Sequence, residues 1–309
     1  MKRFLLILII IAFFTPATAQ TFSELFNAGK QQYEAKNYEA AIKSYTAAIS
    51  LNTQSSHVWY NRGQAYFYSG QFNLTIPDYS RTLQLDSRYI NGWFQRGVSY
   101  NKLKDHTNAI ADYTAGIALV PTDAQFYYNR GIAYFDRGDT AFSLTDYNRA
   151  LELKPDYAKV YINRSKIFFG RKQHRAALAD AIKAIQLEPS YYEAWTNRGV
   201  IYNALNRPDS AISDLDKAIS MDPGRPKAYV EKSISLNKKG LNDLAIASLN
   251  KAIEVDPAYR SAYTMRGAIY FDTKNYTASK KDMEKVLELE PGNKFATNLI
   301  ARINGLLPQ

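Results

Sequence analysis

The stretch AQFYYNRGIAYFDRGDTAFSLTDYNRALELKPDY, residues 124–157, decides the fold because its pattern returns at a constant spacing along the chain. One phase of this period is marked by arginine and another by proline. The arginine phase holds Arg62, Arg96, Arg130, Arg164, Arg198 and Arg266, with Lys232 in the gap, and the proline phase holds Pro121, Pro155, Pro189, Pro223, Pro257 and Pro291. The period contains no insertion, so the sequence predicts a tandem repeat.

Each 34-residue unit is predicted to be a pair of helices. Trp59, Gly63 and Tyr66 follow one another at spacings of four and three residues, which places them on one face of a helix. A second apolar stripe follows further along each unit. In the quoted stretch Gly138 can end the first helix, and Asp139 can cap the second.

The pattern resembles that of the tetratricopeptide repeat family, and the resemblance implies an all-α, right-handed α-solenoid with a concave inner surface. Residues at the family phases of the quoted stretch are Tyr127, Gly131, Tyr134, Tyr147, Ala150 and Pro155. Residues 20–293 are predicted to hold eight units, at 22–55, 56–89, 90–123, 124–157, 158–191, 192–225, 226–259 and 260–293. Residues 294–309 are predicted to form a capping helix and tail over the last unit.

Residues 1–19 have the build of a secretory signal peptide. Lys2 and Arg3 precede an apolar run at 4–14, and small residues at Ala17 and Ala19 flank Thr18. The alternative, a permanent membrane anchor, is disfavoured because a span needs about 20 apolar residues. We expect a mature chain that starts at Gln20 and is exported to a bacterial periplasm or to the outside of the cell.

Composition narrows the possible functions. The chain has no cysteine, which excludes disulfides, thiolate zinc sites and thiol nucleophiles. Its net charge of +10 favours acidic partners, but we expect no nucleic acid in an exported protein. His57, His106 and His174 lie in separate units and match no metal-ligand spacing. We therefore predict no metal, no cofactor, no catalytic residue and no enzymatic activity.

The repeated arginine is predicted to be structural. In an antiparallel helix pair a residue of the first helix faces one at a fixed offset in the second, and an aspartate stands at one constant offset after each arginine. Where the first position is Ala28 or Lys232, the second is Ser44 or Ser248. The predicted ion pairs are Arg62 with Asp78, Arg96 with Asp112, Arg130 with Asp146, Arg164 with Asp180, Arg198 with Asp214 and Arg266 with Asp282.

The residue before the arginine is the better candidate for binding. The resemblance implies that this phase faces the concave surface, where a ladder of amides can hold the backbone of an extended peptide. The amides are Asn27, Asn61, Gln95, Asn129, Asn163 and Asn197. Aromatic residues predicted beside them are Phe26, Tyr60, Phe67, Phe94, Tyr128, Phe135 and Phe169. An alternative remains open, in which the aromatics fill the interior and the asparagines bond neighbouring helices.

The sequence therefore predicts a scaffold that binds a protein or extended peptide in its concave groove. Two other functions stay open. The protein could be a structural assembly factor of an envelope complex that uses its convex face or ends, or it could bind an acidic glycan or another polyanion. Strong salt dependence would favour a polyanion.

Overall fold

The structure is a computed structural model that describes residues 20–306. The predicted signal peptide at 1–19 lies outside the described residues, as do the last three. Within 20–306 there are 17 α-helices and no strand. The chain divides into two compact units, residues 1–121 and 122–309.

The first unit contains three antiparallel helix pairs. The helices are α1 (Phe22–Glu34), α2 (Tyr38–Leu51), α3 (Ser56–Tyr68), α4 (Phe72–Leu85), α5 (Ile90–Lys102) and α6 (His106–Leu119). Each odd-numbered helix packs most extensively against the even-numbered helix that follows it. The first helices of these pairs start at Phe22, Ser56 and Ile90, which are the first residues of three predicted repeats.

The second unit repeats this arrangement and ends with one unpaired helix. Its helices are α7 (Ala124–Arg137), α8 (Thr140–Leu153), α9 (Ala158–Gly170), α10 (His174–Leu187), α11 (Tyr192–Ala204), α12 (Pro208–Met221), α13 (Pro226–Lys238), α14 (Asn242–Val255), α15 (Arg260–Asp272), α16 (Tyr276–Leu289) and α17 (Lys294–Asn304). The first helices α9, α11, α13 and α15 contact their first-helix neighbours. We call the surface that α7, α9, α11, α13 and α15 share the first-helix face.

In six of the eight helix pairs within residues 20–306, a glycine of the first helix faces a large side chain of the second. Tyr147 is almost fully buried, and a Cβ atom added at Gly131 would lie 2.6 Å from its Cε1 atom. Gly63 faces Tyr79 in the same way. The glycine that looks like a weak point in a helix therefore makes room for the ring that fills the core.

The turn inside the quoted stretch follows the sequence prediction only in part. Gly138 ends α7 with a left-handed backbone (φ 97°), as predicted. Asp139 occupies the N-cap position of α8, but its side chain makes no capping hydrogen bond. Its carboxylate instead accepts a 2.6 Å hydrogen bond from Nε of Arg137. The prediction that this side chain caps α8 is wrong because a nearer cation binds it.

Helix α17 covers the end of the last pair. Ala296, Leu299 and Ile303 are buried and pack in one cluster with Met283 and Val286 of α16. The apolar stripe of the C-terminal segment thus has a partner, as the sequence predicts for a solenoid end. Across residues 20–306 no helix combines the length and apolar character that crossing a membrane requires.

Candidate functional site

The repeated arginines and aspartates form the six predicted ion pairs. In the first of them, Nε and Nη2 of Arg62 donate to the two carboxylate oxygens of Asp78 at 2.8 and 2.7 Å. The side chains are 15% and 2% exposed. The other five pairs have the same two-bond geometry, with distances between 2.6 and 2.9 Å.

A further contact of the arginines was not predicted from the sequence. Nη1 of Arg164 donates to Oδ1 of Asn148 at 2.7 Å, and Asn148 belongs to the preceding pair. Arg96 donates in the same way to Oγ of Ser80 at 2.9 Å. One guanidinium therefore joins two helices of its own pair and also the pair before it. The sequence carried a signal for this contact, because a polar residue stands at this earlier offset before five of the six arginines.

An aromatic ring completes the surroundings of the arginine. The guanidinium carbon of Arg62 lies 4.9 Å from the ring centre of Trp59, a distance at which cation–π attraction operates. The indole N–H of Trp59 donates to the carbonyl of Thr53 at 3.0 Å, which fixes the ring against the preceding turn. Hydrogen bonding to Asp214 outweighs burial and raises the pKa of Arg198. All these contacts are structural.

The two pairs without this arginine are held differently. Ser44 Oγ donates to Oε1 of Gln32 at 2.9 Å, and Ser248 Oγ donates to the carbonyl of Tyr229 at 2.9 Å. Lys232 forms an ion pair at 2.6 Å with Asp216 of the preceding pair. In the pair that has Ser248 in place of aspartate, Lys232 thus replaces the arginine and bonds the preceding pair instead.

In the first unit the predicted amides differ in their surroundings. Asn27 is exposed, whereas Asn61 and Gln95 are half-buried. Nδ2 of Asn61 donates to the carbonyl of His57 in its own helix at 2.9 Å. Among the described residues, the carbonyl oxygen Oδ1 of Asn61 has no hydrogen-bond partner and can accept one from a ligand.

The aromatic candidates of the first unit are half-buried and pack against other rings. The ring of Tyr60 lies 4.9 Å from that of Tyr89, and Phe67 lies 5.2 Å from Phe72. Phe26 contacts Phe22 and Tyr45, and Phe94 contacts Tyr113. Much of their surface therefore serves internal packing.

In the second unit two predicted amides bond neighbouring first helices. Nδ2 of Asn163 donates to the hydroxyl of Tyr128 at 3.2 Å, and Nδ2 of Asn197 donates to Oγ of Ser165 at 2.8 Å. Nδ2 of Asn129 donates within its own helix. These nitrogens are engaged, but within 20–306 nothing bonds Oδ1 of Asn129 or Asn197. The ladder can therefore accept hydrogen bonds more readily than it can donate them.

A pocket of about 240 Å³ opens on the first-helix face between α9, α11 and α13. It brings together two of the predicted residues, Phe169 and Asn197. Phe135, 39% exposed, does not line it. The remaining lining residues were not predicted, and they are Lys166, Tyr192, Glu193, Thr196, Val200 and Lys227.

The pocket is predominantly cationic on its polar side. Burial, and next the charge of Lys227, lower the pKa of Lys166, while Glu193 opposes the shift. Lys166 donates to Oδ1 of Asn163 at 3.2 Å, and the side chain of Lys227 has no hydrogen bond or ion pair among the described residues. Two ammonium groups beside a free amide oxygen and a phenyl ring suit a carboxylate on a partly apolar ligand. Sequence spacing did not reveal this, because three helices contribute.

The next first helix places a carboxylate where the amide ladder ends. Glu231 occupies the amide phase of α13, and burial raises its pKa while Lys227 offsets part of that effect. A group of three or more His, Asp or Glu side chains able to hold a metal ion does not occur within the described part of the chain.

Tandem antiparallel helix pairs of this kind define an α-helical repeat protein. Models described as "Tetratricopeptide repeat" match residues 124–157, 192–225, 226–259 and 261–293, and one described as "TPR repeat" matches 29–70 and 99–138. The chain belongs to the tetratricopeptide repeat family. Proteins of this family generally act as non-catalytic scaffolds that bind other proteins or peptides.

Solved structures of low sequence identity share the fold. A tetratricopeptide repeat protein from Parabacteroides merdae ATCC 43184 is 16% identical, with a TM-score of 0.66 over 81% of this chain and 99% of that chain. Pseudomonas aeruginosa pilF is 14% identical, with a TM-score of 0.61 over 72% and 99%.

A chain of the APC/C hetero-tetramer Cut9-Hcn1 is 13% identical, with a TM-score of 0.67. The match covers 90% of this chain but only 55% of that one. No curated protein matches the sequence. At these identities the likeness concerns the fold alone.

Proposed function

We propose that this chain is an exported scaffold that binds a protein or an extended peptide on the first-helix face of its second unit. The observation that carries the proposal is the pocket between α9, α11 and α13. It combines apolar walls with Lys166, Lys227 and the free oxygen of Asn197. Recognition pockets commonly pair an apolar wall with a few convergent polar groups.

Each part of the pocket has a role in holding a peptide. Oδ1 of Asn197 can accept a main-chain N–H, which favours an extended backbone. Lys227 can bind a carboxylate, either of an acidic side chain or of a chain terminus. Phe169 and Val200 can cover an apolar side chain next to that carboxylate. The proposed ligand is thus a peptide with an acidic group beside an apolar one.

Selection of a randomised peptide library on the protein, followed by fluorescence anisotropy, tests this proposal. We expect Lys227→Glu to weaken a selected peptide at least tenfold, because the new charge repels the ligand carboxylate. Lys159→Glu is the matched control, since Lys159 holds the same phase in α9, is exposed and does not line the pocket. Equal weakening by both variants, or no saturable binding, would contradict the proposal.

The salt dependence of binding separates a peptide from a polyanion. A ligand that displaces many counterions loses affinity steeply as salt rises, whereas one with a single carboxylate loses little. A partner protein that binds both lysine variants equally would indicate the alternative, assembly through another face or through the ends.

Export is the second part of the proposal, and it is supported by the charged and apolar pattern of residues 1–19. We expect the protein that a bacterial host secretes to have the intact mass of a chain that starts at Gln20. A cell-associated chain that retains Met1 would overturn this part and leave the binding proposal unaffected.

A further inference from the structure

A larger cavity, of about 710 Å³, lies at the turn between α9 and α10. Phe168, Ala176 and Leu205 form its apolar wall, and Lys172, Gln173, His174 and Arg175 form its polar side. It shares no residue with the pocket on the first-helix face. The peptide proposal therefore leaves it without a role.

The polar side of this cavity is basic and uncompensated. The turn reads RKQHR from Arg171 to Arg175 and contains no acidic residue. Neither the side chain of Lys172 nor that of Arg175 makes a hydrogen bond or ion pair within residues 20–306, and the cavity lining includes no carboxylate. Two free cations beside an apolar wall form a complementary surface for an anion with an apolar body.

The corresponding turn between α5 and α6 offers an internal comparison. There Nδ1 of His106 lies 3.2 Å from Oδ1 of Asn101, and the carboxylate of Asp105 caps α6 by accepting from the N–H of Asn108. The same phases of the turn between α9 and α10 hold His174, Phe169 and Gln173. Phe169 packs against the His174 ring at 5.3 Å instead of bonding it.

Both internal partners are therefore absent at the α9–α10 turn. Nδ1 of His174 is buried without a hydrogen-bond partner, and the side chain of Gln173 does not cap α10. Buried polar atoms in proteins are normally paired, so the contacts within this turn leave its polar groups less satisfied than those of the α5–α6 turn. The imidazole, the free cations and the cavity lie within a single turn.

We propose that this cavity binds an anionic amphiphile, a phosphate or carboxylate group attached to an apolar chain. Lys172 and Arg175 neutralise the anionic group, which lies beside the His174 ring in the cavity lining. Phe168 and Leu205 cover the first methylene groups of the chain. Either a soluble metabolite or the headgroup region of an anionic lipid has this chemistry.

Calorimetric titration of the full chain with hexyl phosphate, with inorganic phosphate as the comparison, tests the proposal. We expect hexyl phosphate to bind at least tenfold more tightly, because its chain buries apolar surface that inorganic phosphate lacks. The decisive variant is Gln173→Asp, which copies the capping residue of α6 and places a negative charge at the cavity. Its fold is retained, since aspartate is a preferred N-cap residue.

Gln173→Asp and the double variant Lys172→Gln/Arg175→Gln are each expected to weaken hexyl phosphate at least tenfold. Lys104→Gln, in the corresponding turn of α5–α6, is the matched control and should change the affinity less than twofold. Phosphatidylglycerol vesicles distinguish a lipid from a soluble metabolite. Vesicle binding that is lost in Gln173→Asp identifies a lipid. Binding of hexyl phosphate without binding of vesicles identifies a soluble ligand. Equal affinity of the wild type and Gln173→Asp, or no saturable binding of hexyl phosphate, would overturn the proposal.

Discussion

Arg62 and its counterparts hold helices together, whereas the asparagines before Arg62, Arg130 and Arg198 each keep a carbonyl oxygen free for a ligand. The guanidinium of Arg164 is engaged through all three of its nitrogens by Asp180 and Asn148, and it lies over the ring of Tyr161. The amide nitrogen of Asn197 donates a hydrogen bond to Ser165, whereas its amide oxygen stays free. At the residue scale, the arginine therefore stabilises the scaffold, and the neighbouring asparagine is available for recognition.

Arg198 allows the bond within a pair to be measured alone, because Ile182 stands at the earlier offset and cannot accept a hydrogen bond. Its partner Asp214 has a side chain that is 6% exposed. Removing one member of a buried pair typically costs about 3–5 kcal/mol, since the other charge stays buried. We expect Arg198→Ala to lower the free energy of unfolding by about 3 kcal/mol in urea titrations.

A double-mutant cycle with Asp214→Ala supplies the control for that measurement. We expect a coupling free energy of about 2 kcal/mol, because the second substitution removes the charge that the first leaves unpaired. The exposed pair Lys251 and Glu254 should show no measurable coupling. Additive effects of the two substitutions would refute the structural role of the pair.

At the scale of helices, the sequence period predicted most of the architecture. The first helices of the second unit start where the predicted repeats start, as α7 does at Ala124, and Gly138 ends its helix as its turn position requires. Period and glycine position are local properties, so the sequence alone reveals them. The fate of Asp139 was mispredicted, because Arg137 competes for its carboxylate and only side-chain geometry decides between them.

The glycine phase shows how one helix depends on another. Gly131 faces the rigid ring of Tyr147, whereas Gly267 faces the flexible end of Met283. Alanine at Gly131 gains about 1 kcal/mol of helix propensity but forces the ring aside, which typically costs about 1–3 kcal/mol. We expect Gly131→Ala to lower the Tm of the full chain, as followed by circular dichroism.

Gly267→Ala is the matched comparison for that substitution. Its new methyl group meets a methionine that can rotate away, so the loss of Tm should be clearly smaller. If the two variants have equal Tm values, the stiffness of the side chain that faces the glycine does not determine how well alanine is tolerated there.

At the scale of the whole molecule, the pocket on the first-helix face is formed by residues of several helices, so the sequence of no single helix predicts it. Phe169 and Asn197 were identified from their phase, but Lys166 and Lys227 join them only because α9, α11 and α13 pack side by side. The two lysines occupy other helices and other positions of the repeat than Asn197, so the sequence period gives no indication that they lie beside it. Prediction of the pocket therefore required the tertiary arrangement.

The most direct test of the central claim, peptide binding on the first-helix face, is site-specific photo-crosslinking. The photoreactive residue p-benzoylphenylalanine replaces Val200 in the pocket or, as the control, the exposed Ser213 on α12. We predict that a peptide selected on the protein crosslinks to position 200 and that excess unlabelled peptide abolishes the product. Crosslinking to position 213 with none at position 200 would contradict the account.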